Sequence, residues 1–188
     1  YLRAAKILPA ARLATALLYA IRVDTQNFRA DALEEDVKAF RFLFPHANMH
    51  LLRRIETAEM DINDLHYFQL GLLNRRIVER KVFSHLGSID SPDILVLVAD
   101  FFMKCHEISW VVISGTYRKR LIVVLRNDGL GKNAGDSAQK AFGCFGEAGG
   151  HRAKARAEIP LKELQDYIKE GRDTNLDDFV CRQIRKNV

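Results

Sequence analysis

The chain has 188 residues, 48% of them hydrophobic and 28% charged. That composition belongs to a folded protein and excludes global disorder, while the length suits one large domain or two small ones. The net charge of +5 is concentrated: residues 118–156 hold nine Lys and Arg against three Asp and Glu, leaving the remainder close to neutral, and such a cationic segment favours an anionic partner.

The longest apolar runs, 94–99 and 121–125, fall far short of the roughly 20 residues a spanning helix needs. Neither a membrane segment nor a membrane partner is therefore expected. Arg3, Lys6 and Arg12 interrupt the first apolar residues, so a signal peptide is not expected either. Cys105, Cys144 and Cys181 are widely spaced and form no C-x-x-C pair, which argues against a zinc site or a disulfide framework. An odd count fits a reducing cytoplasm, the expected location. The chain begins at Tyr1 without a Met and reads as a fragment.

In chain order, Leu13, Ala16, Leu17 and Ala20 recur at helical spacing and predict a helix over 9–21. The polar stretch 22–28 reads as a loop. A second helix is predicted over 32–44, with Asp31 as its cap, Glu34, Glu35 and Asp36 in its first turn and Pro45 after its end. A short third helix covers 49–57. Residues 61–80 read as one longer helix, with Leu65, Phe68, Leu72 and Leu73 on an apolar face and Arg75, Arg76 and Arg80 at its C-terminal end. It is expected to link two lobes.

The rhythm then changes. Residues 81–89 read as a strand, and Ser91-Pro92 opens a helix running to about His106. Residues 110–117 and 120–126 form a hairpin through Arg118-Lys119. A loop over 127–132 leads to a helix over 134–145, a Gly-Gly turn and a strand over 153–159. Helices over 161–170 and 176–186 close the chain. Interleaved strands and helices argue for a layered α/β arrangement with a mixed sheet.

The stretch Phe145-Gly146-Glu147-Ala148-Gly149-Gly150-His151-Arg152-Ala153-Lys154-Ala155-Arg156 is the chemical centre of the sequence. Adjacent glycines let backbone approach a ligand closely, and successive N–H groups there can form an anion-binding nest. Arg152, Lys154 and Arg156 add charge. The same residues also suit a tight turn into a strand with solvated cations. Phe142 and Phe145, at helical spacing, read as core.

Several motifs occur together and in order. Val123-Val124-Leu125-Arg126-Asn127, Asn133-Ala134-Gly135, Gly149-Gly150-His151 and Ala157-Glu158-Ile159-Pro160 resemble the DHH-associated domain of the DHH phosphoesterases, the RecJ- and NrnA-like superfamily. Leu13-Ala14-Thr15 through Arg22-Val23-Asp24-Thr25 resembles the last catalytic motif of the DHH domain itself. The resemblance covers essentially the whole chain. It implies an α/β fold with the C-terminal part of a DHH domain over 1–60, a linker helix over 61–80 and a DHH-associated substrate-binding domain over 81–188. It also implies Mn²⁺, or Mg²⁺, held between two lobes. Position by position, Asp24 corresponds to a metal ligand, Gly149, Gly150 and His151 to the phosphate turn, and Arg126 to a substrate-facing arginine; Lys154 and Arg156 join this set as further cations.

The chain departs from the family where Ala148 replaces a third glycine and Lys154-Ala155-Arg156 replaces Ala-Ala-Gly. The Asp-His-His triplet is absent from these residues, so a single carboxylate stands where a metal pair needs several. The expectation is the C-terminal part of a metal-dependent phosphoesterase acting on short oligonucleotides or nucleotides, inactive alone, with a homodimer allowed. A non-catalytic nucleic-acid-binding module and an inorganic polyphosphatase are the alternatives.

Overall fold

A computed structural model describes residues 2–25, 27–28, 32–57, 60–164 and 175–187. It divides into two compact units, 1–62 and 63–188.

The first unit is helical. Helices α1 (Ala11–Asp24), α2 (Glu34–Leu43) and α3 (Met49–Thr57) bury Ala14, Leu18, Leu43 and Leu52 together. Thr15 is fully buried at this junction. Its hydroxyl donates to the Ala11 carbonyl at 2.6 Å and accepts the Asn48 N–H at 2.8 Å, so no polar group is stranded. Residues 22–24, expected as loop, are the last turn of α1. The helix is extended because Thr25 closes it instead: its hydroxyl donates to the Ile21 carbonyl and accepts the Phe28 N–H. Helix α2 starts at Glu34, where the Asp36 carboxylate accepts the Leu33 N–H at 2.9 Å. The proposed cap Asp31 lies outside the described residues.

The second unit is a mixed six-stranded sheet between two helical layers, the expected α/β class. Its strands are β1 (Arg76–Val78), β2 (Lys81–Ser88), β3 (Trp110–Tyr117), β4 (Arg120–Asn127), β5 (Glu147–Gly150) and β6 (Lys154–Pro160), in the order β1-β2-β3-β4-β6-β5. The sheet is three antiparallel hairpins laid side by side: β1–β2, β3–β4 and β5–β6. The first two meet in parallel at β2–β3, and the last two meet antiparallel at β4–β6. The β3–β4 turn places Arg118 at φ 45° and Lys119 at φ 62°, the left-handed geometry that matches strand twist in a two-residue connection.

Helices α4 (Leu65–Leu73) and α5 (Asp93–Phe102) cover one face. Helices α6 (Ala134–Phe142) and α7 (Leu176–Asn187) cover the other. Side-chain alternation sorts the sheet between them. Val111, Ile113, Ile122 and Val124 face α5, whereas Trp110, Val112, Leu121, Val123 and Leu125 face α6. Helix α5 buries Ile94, Leu95, Val98, Ala99 and Phe102; at about 1.5–3 kcal/mol for each large side chain, that burial anchors the layer.

The predicted helix over 61–80 is not one element. A 3₁₀ turn at Ile62–Asp64 precedes α4, which stops at Leu73. Asn74 ends it, and its side-chain amide donates to the His85 carbonyl at 2.9 Å, turning the chain onto the sheet edge. Arg76 therefore sits on β1, not on a helix, and its guanidinium bridges Asp177 at 2.8 Å and Asp178 at 2.6 Å on α7. Helix α4 packs on the sheet through Tyr67 instead of standing as a linker.

Three further ends differ from expectation. Helix α5 stops at Phe102, so Cys105 and His106 lie in the turns beyond it. Helix α6 stops at Phe142, and Gly149-Gly150 belongs to a strand, not a turn, because β6 and α6 both hold that segment. A 3₁₀ turn at Leu161–Leu164 starts the region expected as helix 161–170, whose residues 165–170 lie outside the described ones.

Candidate functional site

The Gly-Gly segment is the last strand of the sheet, and backbone packing explains much of its glycine. A Cβ on Gly150, at φ +155°, would run into the Lys154 carbonyl oxygen and lie 2.5 Å from the Ala155 Cα. A Cβ on Gly135, in the first turn of α6, would lie 2.5 Å from the Gly150 carbonyl oxygen. Helix and strand thus meet backbone to backbone. The contact is sewn by hydrogen bonds from the Gly135 N–H to the His151 carbonyl and from the Ala134 N–H to the Arg152 carbonyl. Asn133 caps α6, its side-chain oxygen accepting the N–H groups of Gly135 at 2.8 Å and Asp136 at 3.3 Å. The leading amides of α6 are therefore taken up within the protein, and anion binding must come from elsewhere.

Gly149 differs. A Cβ placed there meets nothing within 4 Å. The space it would enter adjoins a cavity of about 250 Å³ lined by Val96, Val124, Arg126, Gly149, Gly150, Lys154, Ala155 and Arg156. Five of the six residues expected to bind substrate thus share one cavity, on the α5 side of the sheet. The sixth does not line it. His151 follows β5, its N–H donating to the Lys154 carbonyl at 2.7 Å and its side chain exposed.

The cations here have partners that sequence reasoning missed. Arg126 is held by Asp100 of α5, Nε to Oδ1 at 2.8 Å, with Nη1 donating to the Leu125 carbonyl. Its side chain is 14% exposed. Arg156 pairs with Glu158 at 2.7 Å, and Arg120 approaches the same carboxylate at 3.4 Å. A signal for Asp100 existed: it is the one charge in the apolar run of α5 after its first turn.

A larger cavity of about 710 Å³ lies at the opposite sheet edge, beside Arg76, His85 and Asp177. Burial pushes the His85 imidazole below its usual range, against the opposing Asp177 charge. The His85 Nδ1 lies 2.9 Å from the Ser114 hydroxyl. Ser114 is 1% exposed, so it offers no accessible nucleophile, and Arg76 is committed to two carboxylates.

Asp24 is the last residue of α1 and is exposed. A carboxylate at a helix C-terminus sits at the unfavourable end of the macrodipole. Among the described residues no three His, Cys, Asp or Glu side chains converge as a metal site would need. Asp24 alone does not fit a divalent metal pair. No helix among the described residues is long and apolar enough to cross a membrane.

No protein-family model matches the chain. An uncharacterized protein of Methanocaldococcus jannaschii is 32% identical over 162 residues, which is 86% of this chain and 33% of that protein. The chain thus spans about a third of the length of the curated relative it matches. Among solved structures, an exopolyphosphatase-related protein from Bacteroides fragilis shares the fold, with a TM-score of 0.64 and 12% identity over 86% of this chain and 51% of that one. RecJ from Thermus thermophilus, in complex with Mn²⁺, aligns over 92% of this chain and 24% of its own, with a TM-score of 0.42 and 12% identity.

Proposed function

We propose that the chain is the C-terminal part of a DHH-type phosphoesterase and that its second unit binds the phosphate of a short oligonucleotide or nucleotide. One observation carries this reading. Gly149 leaves open a space that the chain's own packing does not fill, and Arg126, Lys154 and Arg156 surround it. The fold shared with the exopolyphosphatase-related protein is consistent with it.

In this reading Arg126 and Arg156 supply guanidinium donors to the phosphoryl oxygens and Lys154 supplies a point charge. Gly149 lets the ligand approach the backbone, while Gly150 lines the cavity with its own main chain. Val96 and Val124 form an apolar floor. His151, at the rim, contacts the part of the ligand that leaves the cavity. The volume lies below the usual 300–1,000 Å³ or so of small-molecule sites, so it holds one phosphate and its immediate surroundings, not a whole nucleotide. Asp24 would serve the longer protein as one ligand of its Mn²⁺ or Mg²⁺. Because Asp24 cannot hold a metal pair, the chain alone is proposed to bind without turnover.

The test is titration of a fluorescent short oligonucleotide into the chain, with Lys154→Ala and Arg156→Ala beside it. Saturable binding that weakens with salt and falls at least fivefold in either variant is expected, about 1 kcal/mol for each contact. Binding indifferent to both substitutions would overturn the reading. So would multiple turnover by the chain with Mn²⁺ for its second part.

A further inference from the structure

The lining of the cavity is cationic, yet two carboxylates outside the lining pair with its arginines. Asp100 reaches across from α5 to the Nε of Arg126, and Glu158 lies two residues beyond Arg156 on the same sheet face, 2.7 Å from its guanidinium. Lys154 is the one lining cation with no carboxylate partner among the described residues. With Arg120 also on Glu158, four cations face two carboxylates, so both lining arginines meet the ligand already engaged by a carboxylate and Lys154 meets it unengaged.

This arrangement is unfavourable for a site that grips highly charged groups. A guanidinium shared with a carboxylate has fewer donors and less field left for a ligand. Each further negative charge brought to the cavity stands one guanidinium away from Asp100 or Glu158, where like charges repel. A phosphodiester carries one negative charge. A terminal phosphate carries up to two, and a polyphosphate several.

We propose that Asp100 and Glu158 limit the cavity to a singly charged internal phosphodiester and select against terminal phosphates and polyphosphates. This rests on the phosphate-binding reading of the same cavity. Asp100 has a second effect, as a positioning residue: by engaging Nε while the Leu125 carbonyl engages Nη1, it fixes which edge of Arg126 faces the ligand.

The experiment compares two ligands on the full chain. One is an adenylyl-adenosine dinucleotide with one internal phosphodiester and no terminal phosphate. The other is tripolyphosphate. Binding is measured by calorimetry at constant ionic strength for the wild type, Asp100→Asn, Glu158→Gln and the double variant, with Lys154→Ala as site control. The wild type is expected to favour the dinucleotide. Each isosteric substitution should strengthen tripolyphosphate about fivefold, the size of one exposed charge pair, and change the dinucleotide less. A lost structural support would weaken both ligands together and cannot produce that gain. A wild type that favours tripolyphosphate, or variants that shift both ligands equally, would overturn the charge selection while leaving phosphate binding intact. Binding that Lys154→Ala does not touch would overturn the site reading and this inference with it.

Discussion

Two neighbouring glycines should fail in opposite ways. In Gly150→Ala the new methyl runs into the Lys154 carbonyl oxygen and meets the Ala155 Cα at 2.5 Å, both backbone atoms of the paired strand that no rotamer change can move. Overpacking of that kind costs about 1–3 kcal/mol, and a φ of +155° adds about 1–3 more for a residue with a side chain. Against a total of about 5–15 kcal/mol that is a large share, and a fall in Tm of about 10 °C follows for a unit of this size. In Gly149→Ala the methyl meets nothing, so stability should stay within about 0.5 kcal/mol of wild type. Its effect should appear instead in dinucleotide affinity, as a loss of about fivefold or more. Urea unfolding followed by circular dichroism reads the first quantity, and calorimetric titration the second. A Gly150→Ala protein as stable as wild type would refute the packing account. A Gly149→Ala protein that binds normally would refute the account of the open space.

Two other consequences are measurable. Removing the α6 cap in Asn133→Ala should cost about 1 kcal/mol in urea unfolding, since the Asp136 N–H loses the Asn133 oxygen and the Gly135 N–H keeps only the His151 carbonyl; no loss would mean that the cap contributes nothing beyond that carbonyl and water. Burial holds the His85 pKa below its ordinary 6.5, with Asp177 opposing, so the unfolded chain takes up a proton near pH 6.5 that the folded chain refuses. Stability from this residue is present above pH 6.5 and is lost as pH falls through and below it. His85→Asn should remove that part of the acid loss, and an unchanged stability profile would count against it.

Where local pattern and tertiary structure agree, the sequence is readable. Helix α3 and the β3–β4 hairpin were both legible, the first as a short helix over the same 49–57 and the second from β-rich runs flanking a two-residue connection. Residues 61–80 misled because an apolar face followed by arginines imitates a helix end. The true stop depends on Asn74 reaching His85, and β1 depends on Arg76 reaching α7, contacts that no window of sequence contains. Strand β5 is Glu-Ala-Gly-Gly, a poor strand by composition, and exists because β6 and α6 enclose it. The cavity lining on the α5 side was legible as a set of residue types. The carboxylate that holds Arg126 was not, because Asp100 and Arg126 are brought together only by the packing of α5 on the sheet.

The three-hairpin sheet has a consequence for how the cavity comes into being. Each hairpin closes locally, so chain entropy is lost mainly at the two seams between them, β2–β3 and β4–β6. The cavity straddles the second seam. Val124 and Arg126 belong to the middle hairpin, whereas Gly149, Lys154 and Arg156 belong to the last. The last hairpin supplies most of the lining, but Arg126 and the apolar Val124 come only with the middle one. A phosphate bound there is a clasp across the seam, adding about 2.7 kcal/mol to closure at a hundred times its dissociation constant. In the proposed reading, ligand binding and the docking of the last hairpin on the middle one would stabilise one another.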